Sequence, residues 1–521
     1  MSNKVKKALI SVSDKQEVIK LAQALQSINI EIISTGGTAK YLQQHGIATT
    51  EISTVTNFPE IMNGRVKSLH PKIQGGILSR GDQDAEIMQQ QNINSIDLII
   101  VNLYPFAETI SNKDCTIKDA IENIDIGGPT MIRAAAKNFN YKTVVVDPQD
   151  YSLIIDSIDQ QGFLNIDETL RLKLATKAFT YTANYENHIA NYFTNIATTN
   201  KPDNKLPEVF TLSYNKKSAL RYGENPHQQA ALYTPKIVAG IAAAKQIQGK
   251  ELSFNNIVDA DTAWQCLQQF THAACVIVKH ANPCGVAVAD NIIQAYNKAF
   301  KADPVSAFGG IIAINQELDA ELASTIINNQ FAEVIIAPTA SQQAVVILQQ
   351  KPNIRLLTIN QTTTNTSEYN IQSIGNSLLI QQQDIYNVTK NDIKTVTKKL
   401  PTDQQLLDLL FAWKVAKFVK SNAIVYAKDQ QSIGIGAGQM SRIYSAKIAN
   451  IKATDHQHNI TEAVMASDAF FPFRDSIDTA ASMGISAIIQ PGGSIRDNEV
   501  IAAADEANIV MMFTNTRHFR H

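Results

Sequence analysis

A chain of 521 residues exceeds what one hydrophobic core supports, so several domains of about 100 to 200 residues must share it. Its 46 Lys and Arg nearly balance 48 Asp and Glu, which excludes a strong whole-protein field for nucleic acid or an anionic membrane; any anion must be bound locally. Four cysteines, Cys115, Cys266, Cys275 and Cys284, form no CxxC pair and no cluster at zinc spacing, so they read as reduced thiols of a cytoplasmic protein.

The opening MSNKVKKALISVSD holds only a short apolar patch, far less than a signal segment needs, and is expected to be the first strand. No apolar run approaches the ~18 to 20 residues that span a bilayer, which predicts a soluble protein. From Ala8, short β-rich runs (ALISVS, IEIIST, DLIIVNLY, KTVVVD) alternate with amphipathic stretches, the pattern of a doubly wound parallel α/β sheet. A helical stretch from Asp167 to about Phe193, with Leu170, Leu174, Ala178 and Tyr181 on one face, closes this unit. The aperiodic ATTNKPDNKLP, Ala197 to Pro207, marks a domain boundary. The expected organisation is therefore a first domain over 1–197, a linker over 198–207 and a second α/β region over 208–521 made of two subdomains. Its buried strands are predicted at Ala274 to Lys279, Gly310 to Ile314, Ala332 to Ala337, Ala423 to Ala427, Ser432 to Gly436 and Ala487 to Gln490. Residues 341–400, rich in Gln, Asn and Thr, carry no interpretable motif.

In parallel α/β sheets, ligands bind where loops leave the carboxyl ends of strands. Ser11, Ser13 and Lys15 follow the first strand, and Ser34-Thr35-Gly36-Gly37-Thr38 follows the second and leads into a helix. Glycines, hydroxyls and a helix N-terminus together suit a phosphate, although a tight turn with an N-cap uses the same residues. NGRVKSLHPKIQGGIL crowds Arg65, Lys67, His70 and Lys72 without compensating acids; with Gly64, Pro71 and paired glycines it reads as a shaped loop and not an amphipathic helix. NLYPF (Asn102 to Phe106) ends a strand. DIGGPT (Asp125 to Thr130) and RAAAKN (Arg133 to Asn138) follow, with Pro129 at a plausible first helical position.

SVSDK, STGGT, GRVKSLHPKI, NLYPF, DIGGPT and RAAAKN, in this order, resemble the inosine monophosphate (IMP) cyclohydrolase domain of the bifunctional AICAR transformylase/IMP cyclohydrolase family over about residues 5–195. The resemblance implies a methylglyoxal-synthase-like fold in which Ser11, Ser13, Lys15, Ser34, Gly36, Gly37, Thr38, Arg65 and Ser68 line the nucleotide pocket. It also implies that Lys67, Tyr104, Asp125 and Lys137 flank the closing ring. Ring closure joins a weakly nucleophilic carboxamide nitrogen to a formyl carbon, so it needs proximity, an oxyanion donor and proton transfers, and neither metal nor redox cofactor. Lys67 or Lys137 can stabilise the oxyanion, Tyr104 can donate, and Asp125 can position or accept.

In the second half, LRYGENPHQ joins Arg221 and Tyr222 to a Gly/Pro-shaped turn suited to a phosphate and a planar base. The apolar strand AACVIV ends in Lys279-His280 and runs into Ala281-Asn282-Pro283-Cys284-Gly285; this Lys/His pair reads as catalytic. His followed by Pro-Cys is reminiscent of zinc nucleoside deaminases, but Asn282 stands where H-x-E needs Glu and Ala287 where P-C-x-x-C needs Cys, so a zinc site is rejected. Gly434-Ile435-Gly436-Ala437-Gly438-Gln439 starts like a dinucleotide fingerprint but has Gln in place of the third glycine and reads as a glycine loop after a strand.

LRYGENPHQ, VKHANPCG, SAFGG, IIAP, SNAIVYAK, IGIGAGQMSR, SDAFFPFRD, PGGSIRD and TNTRHF resemble the transformylase half of the same family over about residues 208–521; the chain is shorter than animal members between about Lys447 and Thr461 and so looks more like a bacterial member. The resemblance implies two cytidine-deaminase-like α/β subdomains without zinc. It implies that Lys279 and His280 are the catalytic pair and that Asn422 orients the substrate carboxamide. Arg221, Tyr222 and Arg517 would then hold the nucleotide, with Phe308, Glu333, Phe470, Pro472 and Asp475 near folate or nucleotide. The co-substrate implied is 10-formyltetrahydrofolate, the other ligands AICAR, formyl-AICAR and IMP, and the assembly a homodimer with transformylase sites across its interface. Two rivals are a sensor that keeps the phosphate pocket alone, for which Tyr104, Asp125 and Lys137 would be superfluous, and a nicotinamide oxidoreductase, which the failed fingerprint disfavours.

Overall fold

Leu98–Val101 is apolar at every position and buried at every position, as a strand covered by helices on both faces must be. In the computed structural model, which describes residues 6–161, 164–199, 206–235, 238–359 and 369–521, it is the fourth strand of the first of two units, Met1–Ser213 and Tyr214–His521. The first unit's sheet comprises β1 (Lys7–Ser11), β2 (Glu31–Ser34), β3 (Thr50–Glu51), β4 (Leu98–Val101) and β5 (Thr143–Val145). They run in the order β3-β2-β1-β4-β5, all parallel. Period-two alternation splits the core. Ala8, Ile10, Leu98 and Ile100 face Leu21, Leu25, Ile154 and Ile158, whereas Leu9, Ile33, Ile99 and Val101 face Ile73, Met131, Ile132 and Ala135.

The closing helix runs Glu168–Thr199, past the expected end at Phe193, because no Gly or Pro interrupts it before Pro202. Leu174 and Ala178 are buried as the spacing predicts, with Leu170 and Tyr181 packed beside them. Much of the expected linker, 200–205, lies outside the described residues. Beyond it, Thr211 and Ser213 bond Asn191 and Asn184 of the long helix at 3.1 and 2.5 Å, which draws this segment to the first unit.

The second unit opens with a two-stranded ribbon, β6 (Asn215–Leu220) and β7 (Ala230–Thr234), followed by β8 (Lys245–Gln248). Two successions of the same kind then follow. The first places β9 (Ala274–Lys279), β10 (Asn282–Val288), β11 (Gly310–Ile314), β12 (Ala332–Ala337) and β13 (Arg355–Thr358) behind the Phe254–Leu267 helix. After a hairpin of β14 (Tyr369–Ile374) and β15 (Ser377–Gln382) and the short β16 (Lys394–Thr395), the second succession begins with the Asp403–Ala416 helix. It places β17 (Ile424–Lys428), β18 (Gln431–Gly436), β19 (Val464–Ser467), β20 (Ala487–Gln490) and β21 (Val510–Phe513). Each forms half of one sheet, ordered β16-β21-β20-β19-β17-β18-β10-β9-β11-β12-β13-β8, so each half has the spatial order second, first, third, fourth, fifth. The halves meet where β10 pairs β18 antiparallel.

Two sequence expectations change here. The basic run is a loop only as far as His70: Pro71–Leu78 is a helix, with Pro71 in its first turn and His70 Nδ1 accepting the Lys72 N–H at 3.1 Å. Gly434 and Gly436 lie within β18, inside the predicted strand Ser432 to Gly436, so the glycine loop expected over Gly434 to Gln439 begins only at Ala437. A Cβ on either would fall 2.2 Å from Ala449 O or 1.9 Å from Ser445 O, so these glycines let the Arg442–Asp455 helix pack directly on the strand.

Candidate active sites

In the first unit the expected pocket residues gather where β1, β2 and β4 end. The Ser13 and Asp14 N–H groups both donate to Asn102 Oδ1, at 2.6 and 2.9 Å, and Asn102 Nδ2 returns a bond to Asp14 O at 2.9 Å. Thr38 Oγ1 accepts from Val12 N at 3.1 Å and donates to Val12 O at 3.0 Å, while the Ser11 and Thr35 hydroxyls meet at 2.8 Å. The loops after three strands are thus tied into one rim, with Gly36 and Gly37 opening the Gly36–Gln44 helix at its edge. Lys15 projects over the Tyr41 ring at 5.8 Å. Ser34 is fully buried and donates to Ile10 O at 2.7 Å, so its hydroxyl joins two strands and does not face the rim.

The chemistry-bearing groups cluster at the N-terminus of the Gly127–Lys137 helix. The Asp125 carboxylate accepts the Gly128 N–H at 2.8 Å and the Tyr104 N–H, and Lys67 lies close enough to act on its charge. Burial outweighs these stabilising contacts and raises the Asp125 pKa. Tyr181 and Tyr185 hydroxyls brace the two loops by accepting from Leu103 N at 3.0 Å and Asp125 N at 2.8 Å. Buried Ser68 abuts the helix start: a Cβ on Gly127 would lie 2.4 Å from its Oγ. Pro129 is the third residue of this helix and not its first, where the missing N–H still costs no bond. Arg65 is paired with Glu122 at an exposed position.

Lys137 is not brought to this cluster within the chain. It occupies the last turn of the same helix, about 15 Å along the axis from Gly127 at 1.5 Å per residue. The RAAAKN segment serves packing here: Ala135 and Ala136 are buried, Arg133 lies 5.9 Å from the Phe179 ring centre, and Asn138 Nδ2 donates to Ile77 O and Ser79 O, both at 2.9 Å.

In the second unit, Lys279 and His280 sit at the β9–β10 turn, with His280 exposed. β11 runs antiparallel to β9, so this turn lies at the amino ends of β11 and β12, beside Phe308 and Glu333. Lys279 Nζ donates to Phe308 O at 2.7 Å, the Phe308 ring faces Phe331 at 5.9 Å, and Glu333 pairs with Arg355 at 2.6 Å. From the other half, β17 leaves Asn422 at the carboxyl ends of β19 to β21. Asn422 Nδ2 donates to Gln439 O at 2.8 Å. Phe470 and Arg517 line a shallow pocket there with Pro491, Gly492, Gly493 and Asn515. Pro472 and Asp475 follow Phe470 on the same segment, Asp475 opening the Asp475–Ser482 helix. The antiparallel β10–β18 pair brings the two ends together. Asn282 Nδ2 donates to His280 O at 3.2 Å, and its Oδ1 accepts the Lys420 N–H at 2.9 Å. Arg221 and Tyr222 follow β6 at the end of the β6–β7 ribbon, bonded to each other at 2.7 Å. Their turn is held to the Phe254–Leu267 helix by Asn255 Nδ2 on Glu224 O at 3.5 Å.

Two organising residues lie inside quoted motifs without being singled out by them. Asp468, fully buried, accepts from Ser421 Oγ at 2.6 Å, Ala423 N at 3.1 Å and Arg442 at 3.0 Å, and so shapes the segment bearing Asn422. Asp468 and Arg442 lie inside SDAFFPFRD and IGIGAGQMSR, but nothing in their spacing pairs them. Among the described residues no group of three or more His, Cys, Asp or Glu could hold a metal ion, and no described helix is long and apolar enough to cross a membrane.

Fold and sites define a two-unit α/β protein, with one rim of hydroxyls and glycines beside a half-buried carboxylate and one Lys/His hairpin in a duplicated sheet. The family model described as the AICARFT/IMPCHase bienzyme matches residues 135–452, and that of the MGS-like domain matches residues 17–130. The chain belongs to the AICARFT/IMPCHase bienzyme family. It is a bifunctional enzyme of purine biosynthesis: it formylates AICAR with a folate-type co-substrate and cyclises the product to IMP. A solved structure described as "Crystal structure of ForH" is 33% identical over 36% of this chain and 98% of its own, with a TM-score of 0.33. Another, described as "Structural genomics, protein ybgI, unknown function", is 11% identical over 40% of this chain and 72% of its own, with a TM-score of 0.11.

Proposed function

We propose that formyl transfer occurs at the Lys279–His280 hairpin with 10-formyltetrahydrofolate as donor, and that ring closure occurs at the rim beside Asp125. In transfer, the AICAR amine nitrogen attacks the formyl carbon, His280 takes the amine proton, and Lys279 steadies the charge on the formyl oxygen until the folate nitrogen leaves with a proton. Asn422 orients the carboxamide, Phe308, Glu333, Phe470, Pro472 and Asp475 lie near folate or nucleotide, and Arg221, Tyr222 and Arg517 hold the nucleotide. In closure, the carboxamide nitrogen adds to the formyl carbon, Lys67 meets the oxyanion, Tyr104 donates and Asp125 accepts or positions a proton before water leaves. Ser11, Ser13, Lys15, Gly36, Gly37, Thr38, Arg65 and Ser68 bind the nucleotide. Lys137 acts there as the contribution of a second copy, in a cytoplasmic homodimer.

The observation that carries this reading is the Asn282 bridge, which sets the Lys/His turn against the segment bearing Asn422. The test is the full-length protein with AICAR and 10-formyltetrahydrofolate, followed spectroscopically. His280→Ala is expected to abolish formylation while supplied formyl-AICAR is still cyclised. Equal loss of both activities would overturn the two-site assignment.

A further inference from the structure

The two halves of the second unit's sheet repeat a device built on a helix carboxylate. Asp259 is the sixth residue after the N-cap Ser253 of the Phe254–Leu267 helix, and Asp408 is the sixth after the N-cap Thr402 of the Asp403–Ala416 helix. Each accepts both N–H groups of a two-residue hairpin turn. Asp259 takes His280 N at 3.1 Å and Ala281 N at 2.6 Å; Asp408 takes Asp429 N at 3.0 Å and Gln430 N at 2.7 Å. All four turn residues have positive φ, 53° and 56° in the first turn and 50° and 52° in the second. Such turns favour Gly, Asn and Asp; of these only Asp429 is present, so the carboxylate stabilises a backbone for which Ala281 and Gln430 have little preference. The Lys before each turn repeats as well, with Lys279 Nζ on Phe308 O at 2.7 Å and Lys428 Nζ on Thr461 O at 2.8 Å. The copies differ in chemistry, for only the first turn contains a histidine.

We propose that Asp259 is a positioning residue for formyl transfer, holding the His280–Ala281 turn so that imidazole and Lys279 ammonium face the substrate together, and that Asp408 is the same device kept in a turn without chemistry. The proposal rests on the reading of His280 as the transfer base. An Asn at either position turns an NH2 group toward one backbone donor, loosening the turn by the same mechanism in both halves. Only at Asp259 does that displace a reacting group.

The test compares full-length Asp259→Asn, Asp408→Asn and His280→Ala by transfer kcat, KM for AICAR, cyclisation of supplied formyl-AICAR and thermal melting. Asp259→Asn is expected to lower transfer kcat at least tenfold with KM within threefold and cyclisation unchanged. Asp408→Asn should melt as early yet keep kcat within twofold. Ala281→Gly, which admits positive φ without strain, is expected to recover part of the kcat in the Asp259→Asn background, and it supplies the assay background if that variant folds poorly alone. Equal kcat losses in the two Asn variants, or wild-type kcat in Asp259→Asn beside an inactive His280→Ala, would overturn this inference alone. Transfer surviving in His280→Ala would overturn the role of His280 and the inference with it.

Discussion

Asn282 Oδ1 accepts the Lys420 N–H at 2.9 Å while its Nδ2 donates to His280 O at 3.2 Å, so one side-chain amide joins the two halves of the second unit at the Lys/His turn. Asn282→Ala removes both bonds and leaves the strand in place. Formyl transfer is expected to fall about tenfold or more, equivalent to roughly 1.4 kcal/mol of barrier, with cyclisation unaffected. Steady-state assays of the two half-reactions check this.

Lys67 is the cation whose charge reaches the Asp125 carboxylate beside the Gly127–Lys137 helix. Lys67→Ala should slow ring closure by about 100- to 1000-fold, the usual cost of losing one oxyanion donor, so that formyl-AICAR accumulates. Cyclisation within a few-fold of wild type would show that Lys67 does not meet the oxyanion.

Burial raises the Asp125 pKa against the N–H groups of Gly128 and Tyr104 and the charge of Lys67. If the carboxylate accepts the proton, cyclisation must fall as pH drops through a value above the ordinary carboxylate range, and Asp125→Asn must lose that acid limb. The stability linkage has the opposite sense to that of a paired carboxylate. With the folded pKa above the unfolded one, ionisation of Asp125 costs stability as pH rises from the unfolded value through the folded one. A pH–rate profile and melting curves of wild type and variant test both statements.

The Arg442–Asp468 pair, 3.0 Å apart, is nearly enclosed, the Asp468 side chain fully so. Arg442→Met leaves that carboxylate with only Ser421 Oγ and Ala423 N as partners. Breaking a buried pair from one side costs about 3–5 kcal/mol, and urea unfolding should register that loss. Transfer should decline with it, because the segment bearing Asn422 depends on the same carboxylate.

A fragment ending at Ser213 should fold and cyclise formyl-AICAR better than one ending near Asn200. A chain of this size can bury about 70% of its unfolded surface, and Thr211 and Ser213 add bonds to the long helix at 3.1 and 2.5 Å. Expression of both fragments and measurement of IMP formation decide the matter. A folded 1–213 fragment without activity would mean that the second half contributes residues to this site.

Apolar runs such as Leu98–Val101 and Ala274–Lys279 were legible as strands because burial on both faces leaves a local signature. The ordered motifs likewise marked the loops at the ends of β1, β2 and β4, since phosphate-sized cradles need Gly, Ser and Thr in short spans. The strand over Gly434 and Gly436 was legible too, but not why it needs glycine there: the reason is the backbone of a helix that begins six residues after Gly436 and folds back onto the strand. Lys137 belongs with Asp125 by motif yet lies a helix length from it, because spacing along a chain does not say which end of a helix faces the site. The roles of Asp259, Asp408 and Asp468 were invisible as well, each a single Asp whose backbone N–H partners stand more than 20 positions away. Local composition specifies which residues can form a strand, a cradle or a cap. Only the tertiary fold decides which buried carboxylate meets which distant N–H, because that choice follows from how sheet halves and helices pack.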